Sequence, residues 1–304
     1  MKKQFRSLAF VLGLALFVVG CKKETVSESP ESTPGVAWHD RQDVSDPLSS
    51  ARSSTENMTL GNPSGATTNT AYPDNYLMTK TQYSLSYNRS RACPNWVSWH
   101  IDPTWLGSAA RQDDFRADAT LPTGWYRAGS TSYSGSGFDR GHNCPSADRT
   151  YSTSDNSATF LMTNMIPQAP TNNQQTWANL ENYCRTLVSQ GNEVYVIMGA
   201  YGIGGSGTNG AANYIDGGRI TVPNRIWKVV LVLPRGTNDV ARITSSTRVI
   251  AVNTPNSNSI STSWGTYRTT VDAIESATGY NLLSAVSSTL QGTLESRVDA
   301  GPTN

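Results

Sequence analysis

Eight short runs of aromatic and β-branched residues, each fenced by Asn, Pro, Gly or Asp, constrain this chain more than any other feature. They fall at 76–78, 83–87, 96–99, 160–163, 194–198, 219–222, 227–233 and 249–253. Such residues suit a pleated, half-buried surface. Only two stretches carry a helical period. Between 173 and 189, Trp177, Leu180, Cys184, Leu187 and Val188 return at three- and four-residue intervals, and Gly191 supplies a stop. A shorter one covers 271–278 and ends at Gly279. Hairpin-like spacings dominate and helical crossovers are few, which predicts an α+β domain with a mostly antiparallel sheet.

The N-terminus follows a different rule. Lys2, Lys3 and Arg6 precede an apolar run over 8–19 that closes on Val18-Val19-Gly20-Cys21. A basic start and a short apolar stretch describe a secretory signal, and the run is too short for a comfortable membrane span. Small residues before a cysteine resemble the bacterial lipobox. The expectation is a lipoprotein signal over 1–20, with a lipid on Cys21 anchoring an exported chain to a membrane, in the periplasm or at the cell surface. An ordinary signal peptide with an incidental cysteine is the plain alternative. Residues 21–57 are rich in Ser, Thr, Glu, Asp and Pro without apolar period, as in a flexible polar tether. A globular domain over 58–290 and a tail over 291–304 complete the expected organisation. The net charge of +1 supplies no global basic field to announce a polyanionic partner. Besides Cys21, the chain holds Cys93, Cys144 and Cys184. At most one internal disulfide can form among them, with Cys93–Cys144 the expected pair; three unpaired thiols are the alternative.

Histidine is scarce, with only His39, His100 and His142. His39 falls in the tether and His100 in a Trp-rich strand run, where structural or exposed roles suffice. His142 instead follows a Gly-rich turn, in Asp139-Arg140-Gly141-His142. Imidazole can accept a proton near neutral pH, and an adjacent guanidinium is shaped to grip phosphate. Downstream, a helix over 173–181 would set Asn173 and Glu181 about 80° apart around its axis and about 12 Å along it. Both could then look toward one cleft. An amide oxygen is a hard ligand suited to Mg²⁺, and a carboxylate could hold one of the ion's waters. Two plainer roles compete: Asn173 as a helix N-cap, and Glu181 as an i,i+4 partner of Arg185.

Taken together, Asp139-Arg140-Gly141-His142, Thr163-Asn164-Met165-Ile166-Pro167-Gln168 and Asn173 with Trp177 and Leu180-Glu181 resemble the signature blocks of the DNA/RNA non-specific endonuclease family. The stretches 60–64, 95–100 and 111–116 fit as well, so the resemblance runs from about 58 to about 290. It implies the ββα-metal (His-Me finger) fold, a central mostly antiparallel sheet flanked by helices. It also implies hydrolysis of DNA and RNA with one divalent metal, Mg²⁺ or Mn²⁺, leaving 5′-phosphate ends. Residue by residue, it makes His142 the general base and Asn173 the direct protein ligand to the metal. Glu181 contacts the metal through water, and Asn164 orders the site. Arg111 stabilises charge on the phosphate, and Arg140 contacts the substrate backbone. A protein inhibitor and the oligomeric state stay open. The rival readings are a non-catalytic surface lipoprotein that binds extracellular nucleic acid, and a phosphodiesterase of small or lipid substrates.

Overall fold

The computed structural model describes residues 56–304. The signal segment, Cys21, His39 and most of the expected tether lie outside the described residues. In chain order the strands begin with β1 (Tyr76–Thr79), β2 (Ser84–Asn88), β3 (Cys93–Ile101), β4 (Asp139–His142), β5 (Met165–Gln168) and β6 (Asn192–Tyr201). Four short strands follow: β7 (Gly205–Gly207), β8 (Gly210–Ala212), β9 (Tyr214–Ile215) and β10 (Ile220–Thr221). Then come β11 (Arg225–Pro234), β12 (Arg248–Pro255) and β13 (Arg268–Thr269). The helices are α1 (Thr153–Ala158), α2 (Ala178–Ser189), α3 (Asp239–Arg242), α4 (Val271–Thr278) and α5 (Ser288–Glu295).

Seven strands make one sheet in the order β1-β2-β3-β6-β11-β12-β13, with every pairing antiparallel. Next to the middle strand β6, β11 reads Ile-Trp-Lys-Val-Val-Leu-Val-Leu and is buried along both faces. Alternation sends Ile226, Val230 and Val232 into one core layer with Trp99, Trp177, Leu180 and Cys144. Trp227, Val229, Leu231 and Leu233 enter the other, with Ile274, Leu282 and Leu294. Helix α2 and the separate β4–β5 hairpin cover the first face; α4 and α5 cover the second.

Several expectations need correction. Residues 160–163 form no strand: 162–164 make a 3₁₀ turn, and the pairing passes to β5, which binds β4. The long helix does not start as an α-helix. Asn172–Trp177 is a π-helical turn, and α2 begins only at Ala178. The angle and rise expected between Asn173 and Glu181 therefore do not apply. Buried anchors on 171–172 hold this turn against the sheet: Asn172 Nδ2 donates to Thr254 Oγ1 at 2.9 Å, and the Thr171 N–H donates to Asn258 Oδ1 at 2.8 Å.

The domain is also longer at both ends. Asn57 is buried and donates to the Thr81 carbonyl at 2.9 Å, so it belongs to the fold and not to the tether. The expected tail holds α5 with Leu294 buried, and Asp299 pairs with Arg248 and Arg268 at 2.8 and 3.3 Å. The Cys93–Cys144 bridge does not form. Cys93, Cys144 and Cys184 are all free, buried thiols. Burial pushes each up to about 12, so they behave as inert core residues. The α4 expectation holds to the residue, with Gly279 closing the helix at φ 76°, a conformation glycine adopts without penalty.

Candidate active site

The β4–β5 hairpin followed by the π turn and α2 is a ββα unit. His142 ends β4 opposite Met165, and Asp139 begins it opposite Gln168. Gly141 between them abuts Gln168 so closely that any Cβ would collide with its side-chain amide. Glycine is required there by contact and not by φ.

His142 packs edge-on against Phe115 and Phe160, with ring centroids 5.5 and 4.9 Å away. Those two rings also carry the arginines: Arg140 lies 3.7 Å over Phe115, and Arg111 lies 4.9 Å over Phe160. Arg111 is further fixed by Asp113 at 2.7 Å and by Ser146 Oγ at 2.8 Å, and Arg140 by the Ser130 carbonyl at 3.0 Å. The imidazole Nε2 is buried with no hydrogen-bond partner. Burial, then the charges of Arg111 and Arg140, push the His142 pKa down to about 3. The side chain is a neutral base beside two cations.

Asn164 spends its whole side chain on backbone. Its Nδ2 donates to the Cys144 and Thr159 carbonyls at 2.8 and 2.9 Å, and its Oδ1 accepts the Cys144 N–H at 3.0 Å. Fully buried, it pins the loop that follows His142, so its role is positioning.

Asn173 lies inside the π turn, which removes the N-cap reading. Its Nδ2 donates to Asp139 Oδ2 at 2.8 Å, an oxygen shared with Gln174. That bond ties the π turn to the strand carrying His142. The Asn173 oxygen accepts no hydrogen bond from the described residues.

The Glu181 carboxylate does not pair with Arg185. It meets Lys228 Nζ at 3.2 Å, while Arg185 reaches Asp148 at 2.6 Å. Lys228 is fully buried, with its ammonium 5.1 and 5.6 Å from the rings of Trp177 and Trp99. Burial raises the Glu181 pKa; Lys228 and Arg185 oppose that rise, and Asp148 adds to it.

The DNA/RNA non-specific endonuclease family matches residues 60–289. The chain belongs to that family. A nuclease of Nostoc sp. is 47% identical over 291 residues, covering 95% of this chain and 97% of its own. Human mitochondrial endonuclease G is 32% identical over 166 residues, 53% of this chain and 56% of the human one. The EndoG/EndoGI crystal structure shares the fold, with TM-score 0.60 at 22% identity over 76% of this chain and 91% of that one.

The nuclease is thus a hydrolytic enzyme of a metal-dependent family that acts on nucleic acid. Its site fits a hard divalent cation: the amide nitrogen of Asn173 is spent on Asp139, which leaves its oxygen, a hard donor, uncommitted. Sequence reading missed two residues that hold the candidate site residues in place. Asp139 stood in the motif as a mere flanking acid, and Lys228 sat inside an apolar strand run. A lysine between Trp227 and Val229 in a strand buried on both faces was a signal in itself, because an unpaired ammonium would not be tolerated there.

Proposed function

We propose that this nuclease cleaves DNA and RNA by general-base hydrolysis, with His142 taking the proton from water as it attacks phosphorus. The observation that carries the proposal is the unpartnered imidazole nitrogen of His142, neutral and flanked by Arg111 and Arg140. A guanidinium pair beside a neutral base can seat a phosphodiester and offset the charge that grows during displacement. Held by Asn173, with Glu181 acting through water, a divalent metal such as Mg²⁺ or Mn²⁺ would supply Lewis-acid stabilisation of the phosphate and the leaving oxygen. Asp139 holds the Asn173 amide, and Asn164 holds the loop behind His142. Contacts limited to phosphate and sugar read little sequence, consistent with weak base preference and acceptance of both polymers. Departure of the 3′ oxygen leaves 5′-phosphate ends.

His142→Ala should lower plasmid and RNA cleavage by about 10²–10⁴-fold with an unchanged melting temperature. Near-normal turnover would refute the base assignment. Products that accept a label from polynucleotide kinase only after phosphatase treatment carry 5′-phosphates; direct labelling would contradict that polarity. Export with lipid on Cys21 belongs to the same proposal. Fatty-acid incorporation should vanish in Cys21→Ser, and persistence of the label would exclude the anchor.

A further inference from the structure

On the opposite face of the sheet, α4 and α5 bring three carboxylates together. Asp272 and Glu275 lie one turn apart on α4, and Glu295 is the last residue of α5. One oxygen from each lies within 4.8 Å of the other two. No arginine or lysine forms a salt bridge with any of the three among the described residues. The Glu275 carboxylate accepts the Leu282 N–H at 2.7 Å, which fixes it against the loop leading to α5.

Glu295 is the second observation. It is only 5% exposed, and its Oε1 is buried with no hydrogen-bond partner. A carboxylate there sits at a helix C-terminus, where the helix dipole opposes negative charge. Burial, then the charges of Glu275 and Asp272, push its pKa up to about 7. A buried carboxylate with one oxygen unpartnered, grouped with two more carboxylates, is an arrangement that a cation completes.

We propose that Asp272, Glu275 and Glu295 form a second cation site, separate from the nuclease centre, that takes a hard divalent ion of calcium size and clamps α5 onto α4. Calcium binds oxygen at about 2.3–2.6 Å, so ligand oxygens on one ion stand up to about 5 Å apart, the span these three occupy. Exposed Asp272 leaves one side open for water to fill the remaining positions. The ion links the C-terminal helix to the domain and does not touch the reaction.

The test titrates calcium chloride into the full chain stripped of metal by chelator, reading heat and melting temperature. Wild type and Asn173→Ala should both gain thermal stability with calcium. Glu295→Gln and Asp272→Asn should each bind it at least about 10-fold more weakly. Asp272→Asn changes an exposed residue, so a folding defect in Glu295→Gln would leave the test intact. Normal calcium binding by both variants would overturn the proposal, as would no calcium effect on wild type. Loss of the effect in Asn173→Ala alone would also overturn it, because the ion would then sit in the nuclease centre. None of these readouts depends on cleavage, so failure of the catalytic reading would be seen separately.

Discussion

Lys228 and Glu181 meet between β11 and α2, Nζ to Oε1 at 3.2 Å, with the lysine fully buried and the glutamate side chain 16% exposed. Neither charge is stable there alone. The strand places the lysine by alternation, on the face shared with Trp99 and Trp177. Burial raises the Glu181 pKa, and the ammonium of Lys228 is the first charge that opposes the rise.

Lys228→Met leaves Glu181 without its partner. Breaking a buried pair from one side costs about 3 kcal/mol or more, so the urea midpoint should fall clearly. Activity should fall as well, and Lys228→Met combined with Glu181→Gln should recover part of the stability. An unchanged midpoint in the single variant would show that the pair holds nothing.

Asp139 should control metal affinity. Asp139→Ala frees the Asn173 amide that it now holds at 2.8 Å. Removal of such a supporting hydrogen bond weakens metal binding by about 10–100-fold. The metal concentration for half-maximal cleavage should rise by that factor while the melting temperature barely moves. Equal metal dependence in the variant and wild type would remove Asp139 from the site.

His142 and His100 should respond oppositely to pH. His142 is lowered from its ordinary value of 6.5 to about 3. Above 6.5 it is neutral in folded and unfolded chains alike. Between 6.5 and about 3 the unfolded chain takes up the proton and the folded one does not, so stability is lost as pH falls through that window. Burial also opposes charge on His100, but the hydrogen bond to Glu193, the Glu56 carboxylate 3.6 Å away and the charge of Asp102 prevail, and its pKa is raised. The stability it contributes is present below 6.5 and is lost as pH rises through its folded value. In a proton–carbon NMR titration from pH 5 to 8, the His142 ring signal should stay flat while that of His100 moves. A His142 midpoint near 6.5 would contradict its lowered value.

Asn164→Asp keeps shape but cannot donate to the Cys144 and Thr159 carbonyls. Each buried carbonyl left without its donor costs about 1–3 kcal/mol. Stability and turnover should fall together, with KM changed far less than kcat. Wild-type turnover would mean that the His142 loop holds its place without Asn164.

Truncation after residue 290 tests the domain boundary. It removes most of α5, buried Leu294 and the Asp299 carboxylate that pairs with Arg248 and Arg268. The shortened chain should melt well below the full one, and Asp299→Ala alone should lose about 3 kcal/mol. A truncated chain with full stability would restore the boundary that sequence suggested.

Period and punctuation alone located the strands expected from 76, 83, 96, 194, 227 and 249, the helix ending at Gly279, and the motif carrying His142, because these depend on neighbours a few residues apart. The family resemblance also named Arg111, Asn164, Asn173 and Glu181. Tertiary structure decided who holds them. Glu181 turns to Lys228, 47 residues away, and not to Arg185 on its own helix. Asn173 hangs from Asp139, Asn172 donates to Thr254 on β12, and the helix start they share is a π turn. Charge pairing, hydrogen-bond satisfaction and the three unpaired cysteines all depend on which side chains share one dry volume. That is set by packing layers, not by local spacing.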